Sequence, residues 1–143
     1  MFKYYEVEID GVDKTGKDLL TSYLALLSNH RFSINTRGII TQIAYSRKYN
    51  RNYEYNLSSL SKNKIIILLT AEVEDLKVRC KITNEKEFSI KEDLKLFDDI
   101  ANELLSQGFK VYKFNTSFET PYEIIKRVIS LIDCLEILEA VNE

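Results

Sequence analysis

Gly11 and Gly16 stand five positions apart, and Lys17 follows directly. This is the spacing G-x-x-x-x-G-K of a loop that wraps an anion. Glycines let the backbone turn tightly, so that successive N–H groups point inward and the next helix presents its positive end to a phosphate. The lysine adds a mobile charge that reaches terminal phosphates. The candidate binding loop therefore runs through Gly11, Val12, Asp13, Lys14, Thr15, Gly16, Lys17, Asp18 and Leu19. Asp18 occupies the position at which a Ser or Thr hydroxyl normally holds Mg²⁺. A carboxylate also binds Mg²⁺, but it brings negative charge beside the phosphates. The competing interpretation is an ordinary strand-to-helix turn that contains glycine and a chance lysine.

Such a loop needs a strand before it and a helix after it. Phe2 to Ile9, rich in Phe, Tyr, Val and Ile with polar residues interleaved, predicts the first strand. Lys17 to Leu27, with leucines at 19, 20, 24, 26 and 27 beside Tyr23 and Ala25, predicts an apolar helix that packs on a sheet. Further along, Phe32–Asn35 predicts a short strand and Ile39 to about Tyr49 a helix, and Arg51–Lys62 an irregular or helical connector. Lys64–Thr70 holds five consecutive apolar residues, Ile65 to Leu69. Such a run suits a parallel strand covered on both faces.

Ala71–Cys80 predicts a helix, and Lys81–Phe88 a charged surface segment. Ile90–Gln107 predicts a long helix with Leu94, Leu96, Phe97, Ile100, Ala101, Leu104 and Leu105 on its apolar face, ended by Gly108. Phe109–Phe114 alternates like a strand. Thr120-Pro121 then opens a terminal helix, with threonine at the cap and proline at its first position, running to about Leu138. Strands alternating with helices predict an α/β fold, a small parallel sheet in a three-layer sandwich, within one domain spanning 1–143. Ligands of such sheets bind beyond the carboxyl ends of the strands, where the Gly11–Lys17 loop falls.

At 143 residues, with 45% hydrophobic and 29% charged residues, the chain has the composition of a folded globular domain. A net charge of −2 argues against a nucleic-acid partner. The absence of a long apolar run and of a charged-then-apolar leader gives a non-membrane, cytoplasmic protein as the expectation. Cys80 and Cys134 lack metal-ligand spacing and are expected to be reduced and structural. His30, in Ser28-Asn29-His30-Arg31, is expected at a helix end, where a basic group complements the dipole.

A second motif follows the second strand: Thr36-Arg37-Gly38-Ile39-Ile40-Thr41-Gln42-Ile43-Ala44-Tyr45-Ser46. It resembles the D-R-Y-x-x-S-x-x-A-Y-Q signature of thymidylate kinases, with Arg37, Ala44 and Tyr45 matching and Thr41 in place of serine. The family's opening motif, roughly E-G-x-D-G-x-G-K-S/T-T, is echoed by Asp10 through Lys17. Ile65–Leu69 with Asp75–Arg79 resembles the strand and helix ahead of the family's lid, and Thr120–Ile132 its last helix. Slimmed chains of this kind resemble those encoded by some bacteriophages, which would place the protein in a host cytoplasm.

The resemblance spans most of the chain, with deletions. The family carries a further strand and helices before the arginine motif, and their loss implies a sheet of about four strands in the order 2-1-3-4. The lid shrinks to about residues 81–86, with Arg79, Lys81 and Lys86 as its cations. By resemblance the cofactors are ATP and Mg²⁺, with Asp13 and Asp18 the metal residues and Lys17, Arg37 and Asp13 catalytic. Lys17 and the loop amides would hold the phosphoryl donor, and Asp13 would organise metal or the acceptor's sugar. Arg37 would clamp the acceptor phosphate, as a planar fork suits two phosphate oxygens. Thr41 and Tyr45 would face the acceptor's sugar and base.

Each residue also has a plainer interpretation. Arg37 or Arg79 could pair with a surface carboxylate, Tyr45 could belong to the core, Asp13 could cap the loop, and Lys81 and Lys86 could be solvated charges. The leading expectation is a nucleoside monophosphate kinase of the thymidylate kinase type, acting on a deoxynucleotide. The alternatives are a degenerate relative that binds a nucleotide or protein partner without catalysis, and a P-loop protein with another phosphate acceptor. Because the family pairs through helices, a homodimer is a further expectation, on a face the sequence does not identify.

Overall fold

The computed structural model describes residues 6–29, 32–50, 60–82 and 89–142. His30, Lys86, the Phe2–Tyr5 part of the first expected strand, residues 51–59 of the expected connector and 83–86 of the expected lid lie outside the described residues. The elements run β1 (Glu6–Gly11), α1 (Lys17–Leu27), β2 (Ser33–Thr36), α2 (Ile39–Lys48), β3 (Lys64–Thr70), α3 (Val73–Ile82), α4 (Ile90–Ser106), β4 (Lys110–Asn115) and α5 (Pro121–Val141).

The four strands form one all-parallel sheet in the order β2-β1-β3-β4, as the shortened α/β frame implied. β3 sits inside it, with Ile65 to Leu69 buried. Its side chains alternate between two cores. Ile65, Ile67 and Leu69 join Val7, Ile9, Leu20, Leu24, Ile124 and Val128 on the side of α1 and α5. Ile66 and Leu68 join Ile39, Ile40, Ile43, Leu76, Phe97, Ile100 and Leu104 on the side of α2, α3 and α4. Each buried isoleucine or leucine contributes roughly 1.5–3 kcal/mol by leaving water, and this two-sided burial holds the three layers together.

β1 obeys the same alternation with an exception in chemistry. Val7 and Ile9 face the α1 and α5 core. Glu8 and Asp10 carry carboxylates from the intervening positions and are nonetheless buried, at 7% and 0% exposure. Both find partners at the start of α2, as described below. Gly108 follows α4 with φ 89, and the Thr120 side chain caps α5 by accepting from the Glu123 amide, with Pro121 at the first turn; both ends are as the sequence indicates.

Some boundaries and faces differ from expectation. β1 runs on to Gly11, because Asp10 is buried and in register with Leu68 of β3. α3 starts at Val73 rather than Ala71, since Ala71 is drawn into the core and the Glu72 amide is taken by the Ser117 hydroxyl. It then continues to Ile82, so Lys81 is helical rather than part of a surface connector. Leu105 is 44% exposed, off the apolar face of α4 to which it was assigned. In α1 only Leu20 and Leu24 are buried, while Leu19, Tyr23, Leu26 and Leu27 are exposed. No helix among the described residues is long and apolar enough to cross a membrane.

Candidate functional site

The loop after β1 is built from backbone turns. Lys14 (φ 70) and Gly16 (φ 95) both take the left-handed conformation in the turn between β1 and α1. Glycine reaches that region freely, whereas Lys14 pays about 1–2 kcal/mol for it. The Thr15 hydroxyl is buried and donates to the Val12 carbonyl at 2.7 Å, closing the turn from inside. The Val12 side chain is itself part of the α2-side core. With Gly16 as the residue before α1 and no side chain capping that end, the first amides of the helix open toward the loop. Lys17 folds back, its Nζ donating to the Gly11 carbonyl at 2.6 Å. Burial holds its ammonium below the ordinary 10.5; Arg37 nearby acts in the same sense, against Asp13, Asp10 and Asp18.

Two hollows flank this loop. The first, about 330 Å³, is lined by Asp13, Lys14, Gly16, Lys17, Asp18, Leu19, Thr36 and Arg37. Arg37 and Lys17 therefore share one hollow, with the carboxylates of Asp13 and Asp18 on its wall. Arg37 reaches it from the end of β2 through a left-handed backbone (φ 60), its amide donating to the Ile9 carbonyl at 3.3 Å.

The second hollow, about 280 Å³, lies on the α1 and α5 side and has a mostly apolar lining that includes Leu20, Leu69, Pro121 and Ile124 together with Arg79 and Thr116. Arg79 bridges the loop to the connection after β4: Nη1 donates to the Lys14 carbonyl at 2.8 Å and to the Thr116 hydroxyl at 3.2 Å. Lys14, Gly16 and Leu19 line both hollows.

Other expected site residues lie elsewhere. Thr41 does not line the Arg37 hollow; it is 3% exposed and its hydroxyl donates to Asp10 Oδ1 at 2.6 Å, with its amide 3.3 Å from the same oxygen. Tyr45 lines neither hollow; it is half-buried, its ring 6.0 Å from that of Tyr49. Lys81 is exposed in the last turn of α3 and lines neither hollow.

Glu8 and Asp10 were not singled out in the sequence. A signal was available: two carboxylates alternate with Val7 and Ile9 at the start of a sheet expected to lie between helical layers, where buried polar groups must meet donors. Glu8 Oε2 accepts from the Ile39 amide at 2.9 Å and Oε1 pairs with Lys64 at 2.9 Å. Burial pushes the Asp10 carboxyl above its ordinary 3.8, against the hydrogen bond from Thr41. Nothing in the sequence marked Thr116, Pro121 or Ile124 as neighbours of the loop.

The four parallel strands in the order β2-β1-β3-β4, with helices on both faces and the glycine-containing loop at the carboxyl end of β1, make an α/β chain of nucleotide-kinase-like fold. Among solved structures the chain is similar to the YorR protein from Bacillus subtilis, determined in complex with phosphorylated GDP, with a TM-score of 0.67 and 15% identity over 89% of this chain and 95% of that one. At that identity the likeness concerns the fold. No family model matches the chain, and no curated protein matches it by sequence.

Proposed function

We propose that the protein is a nucleoside monophosphate kinase of the thymidylate kinase type, which transfers the γ-phosphoryl group of ATP to a deoxynucleoside monophosphate. The observation that carries this reading is the placement of Lys17 and Arg37 on one polar hollow, with a separate, mostly apolar hollow across the same loop. The donor's base would occupy the apolar side, under the Arg79 guanidinium, and its phosphates would lie over the loop amides. The acceptor's phosphate would sit against Arg37. An acceptor phosphate oxygen would then bond to the γ-phosphorus as the bridge to the β-phosphate breaks, releasing ADP. This transfer asks for positioning and charge stabilisation rather than covalent participation by the protein. The nucleotide in YorR supports a nucleotide on this fold.

Mg²⁺ fits the polar hollow in a limited way. Among the described residues no cluster of three or more His, Cys, Asp or Glu side chains could hold a metal, but Mg²⁺ bound with nucleotide keeps several waters and needs only one or two carboxylates. Asp13 and Asp18 line that hollow and would hold it. When bound, the ion would supply positive charge to offset that of the phosphates.

A coupled assay with ATP and each deoxynucleoside monophosphate tests the reading: turnover is expected with at least one, and Lys17→Ala is expected to lower it by about a hundredfold or more, the scale of losing a charge on the transferring phosphates. Folded protein that turns over none of them refutes the kinase reading. Asp18 in the polar hollow favours a second reading, a nucleotide-binding relative without turnover. Calorimetry that finds tight ATP binding with no product supports that version.

A further inference from the structure

The segment that carries Arg37 is fastened to the strand that carries the loop by side chains from β1 itself. Asp10 immediately precedes Gly11. Its Oδ1 accepts from both the hydroxyl and the amide of Thr41, at 2.6 and 3.3 Å, while Oδ2 is buried without a partner among the described residues. Two positions earlier, Glu8 Oε2 accepts from the Ile39 amide at 2.9 Å. Its carboxylate fills the space beside Gly38, where a Cβ would come within 2.2 Å of Oε2. Residues 38, 39 and 41 are thus held by β1 carboxylates, and Arg37 emerges just before them in a left-handed conformation that an arginine rarely adopts.

We infer that Asp10 and Glu8 are positioning residues: their buried contacts to Thr41 and Ile39 set the distance between the Arg37 guanidinium and the phosphate loop. Asp10 touches neither hollow; it acts through Thr41. A fully buried carboxylate is an expensive way to hold a helix end, since burial disfavours its charged form. What distinguishes this one is its place, one residue from the loop and bonded to the element that presents the second cation. The inference rests on the kinase reading only where it names the ligand of Arg37 as an acceptor phosphate.

The test compares the parent with Thr41→Val, which keeps the shape but removes the hydroxyl, and Thr41→Ser, which restores it. Calorimetry gives the affinities for ATP and dTMP, and amide hydrogen exchange reports Arg37, whose N–H is bonded to Ile9. In Thr41→Val, dTMP affinity falls by about tenfold and the Arg37 amide exchanges about tenfold faster, while ATP affinity stays within about twofold. Thr41→Ser returns both to the parent's values. A Thr41→Val protein that loses ATP and dTMP affinity together, or in which Arg37 exchange does not change, overturns the inference. If the parent binds ATP but no deoxynucleoside monophosphate, the acceptor assignment fails, and the exchange rates still decide whether Asp10 and Thr41 hold Arg37 in place.

Discussion

Replacing Gly38 by alanine puts a single methyl group where the structure has no room. The added Cβ would lie 2.2 Å from Glu8 Oε2, 2.5 Å from Cδ and 2.8 Å from Cβ. Swinging the carboxylate aside relieves only the first two contacts; the third involves an atom fixed to the β1 backbone, so β1 and the start of α2 must separate. Two limits bracket the cost. If Glu8 stays with Lys64, the change forfeits the bond to the Ile39 amide and adds overpacking, roughly 1–3 kcal/mol.

If Glu8 is expelled from Lys64 as well, a pair whose side chains are 15% and 9% exposed is broken, and breaking a buried pair costs about 3–5 kcal/mol. We expect a loss near 3 kcal/mol, which for a chain of this length lowers the melting temperature by roughly 10 °C. Urea denaturation and calorimetric melting of the parent and Gly38→Ala measure it. A variant within about 0.5 kcal/mol of the parent would show that Glu8 does not occupy that space in solution.

Asp10→Asn tests the buried carboxylate through pH. Because its carboxyl titrates above 3.8 in the folded protein, the folded state keeps a proton that the unfolded chain has released, and Asp10 contributes less stability as pH rises from 3.8 through the higher folded value. The stability of Asp10→Asn relative to the parent should therefore be greater at pH 7 than at pH 4, measured by urea denaturation; an unchanged or reversed difference contradicts the burial. Thr120→Ala removes the hydroxyl that accepts from the Glu123 amide at 3.2 Å and donates to the Glu123 carboxylate at 3.0 Å. A loss of about 1 kcal/mol is expected in chemical denaturation, and no loss would mean that the α5 cap is dispensable.

The sheet was legible because its signals were local and redundant. Ile65 to Leu69 as an unbroken apolar run admits few alternatives to an inner parallel strand, and Gly108 and Thr120-Pro121 are punctuation that depends only on neighbouring residues. The placement of Arg37 near Lys17 was implied by the resemblance of its motif, and both stand at the carboxyl ends of neighbouring parallel strands. Thr41 shows where such reasoning stops. Its direction is fixed by Asp10 on another strand, a contact between residues 31 apart that no local spacing reveals. The exposed Leu19, Leu26, Leu27 and Leu105 mark the complementary failure: leucine favours helices wherever it stands, so its abundance reports the element more reliably than the buried face.

Lys14, Gly16 and Leu19 form a partition with a chamber on either side. A guest that shifts this partition from one chamber changes the shape offered to a guest in the other, and thermodynamic reciprocity requires the influence to be equal in both directions. Arg79 braces the partition from the apolar side through the Lys14 carbonyl. Any influence of one chamber's guest on the other's would have to pass through these residues.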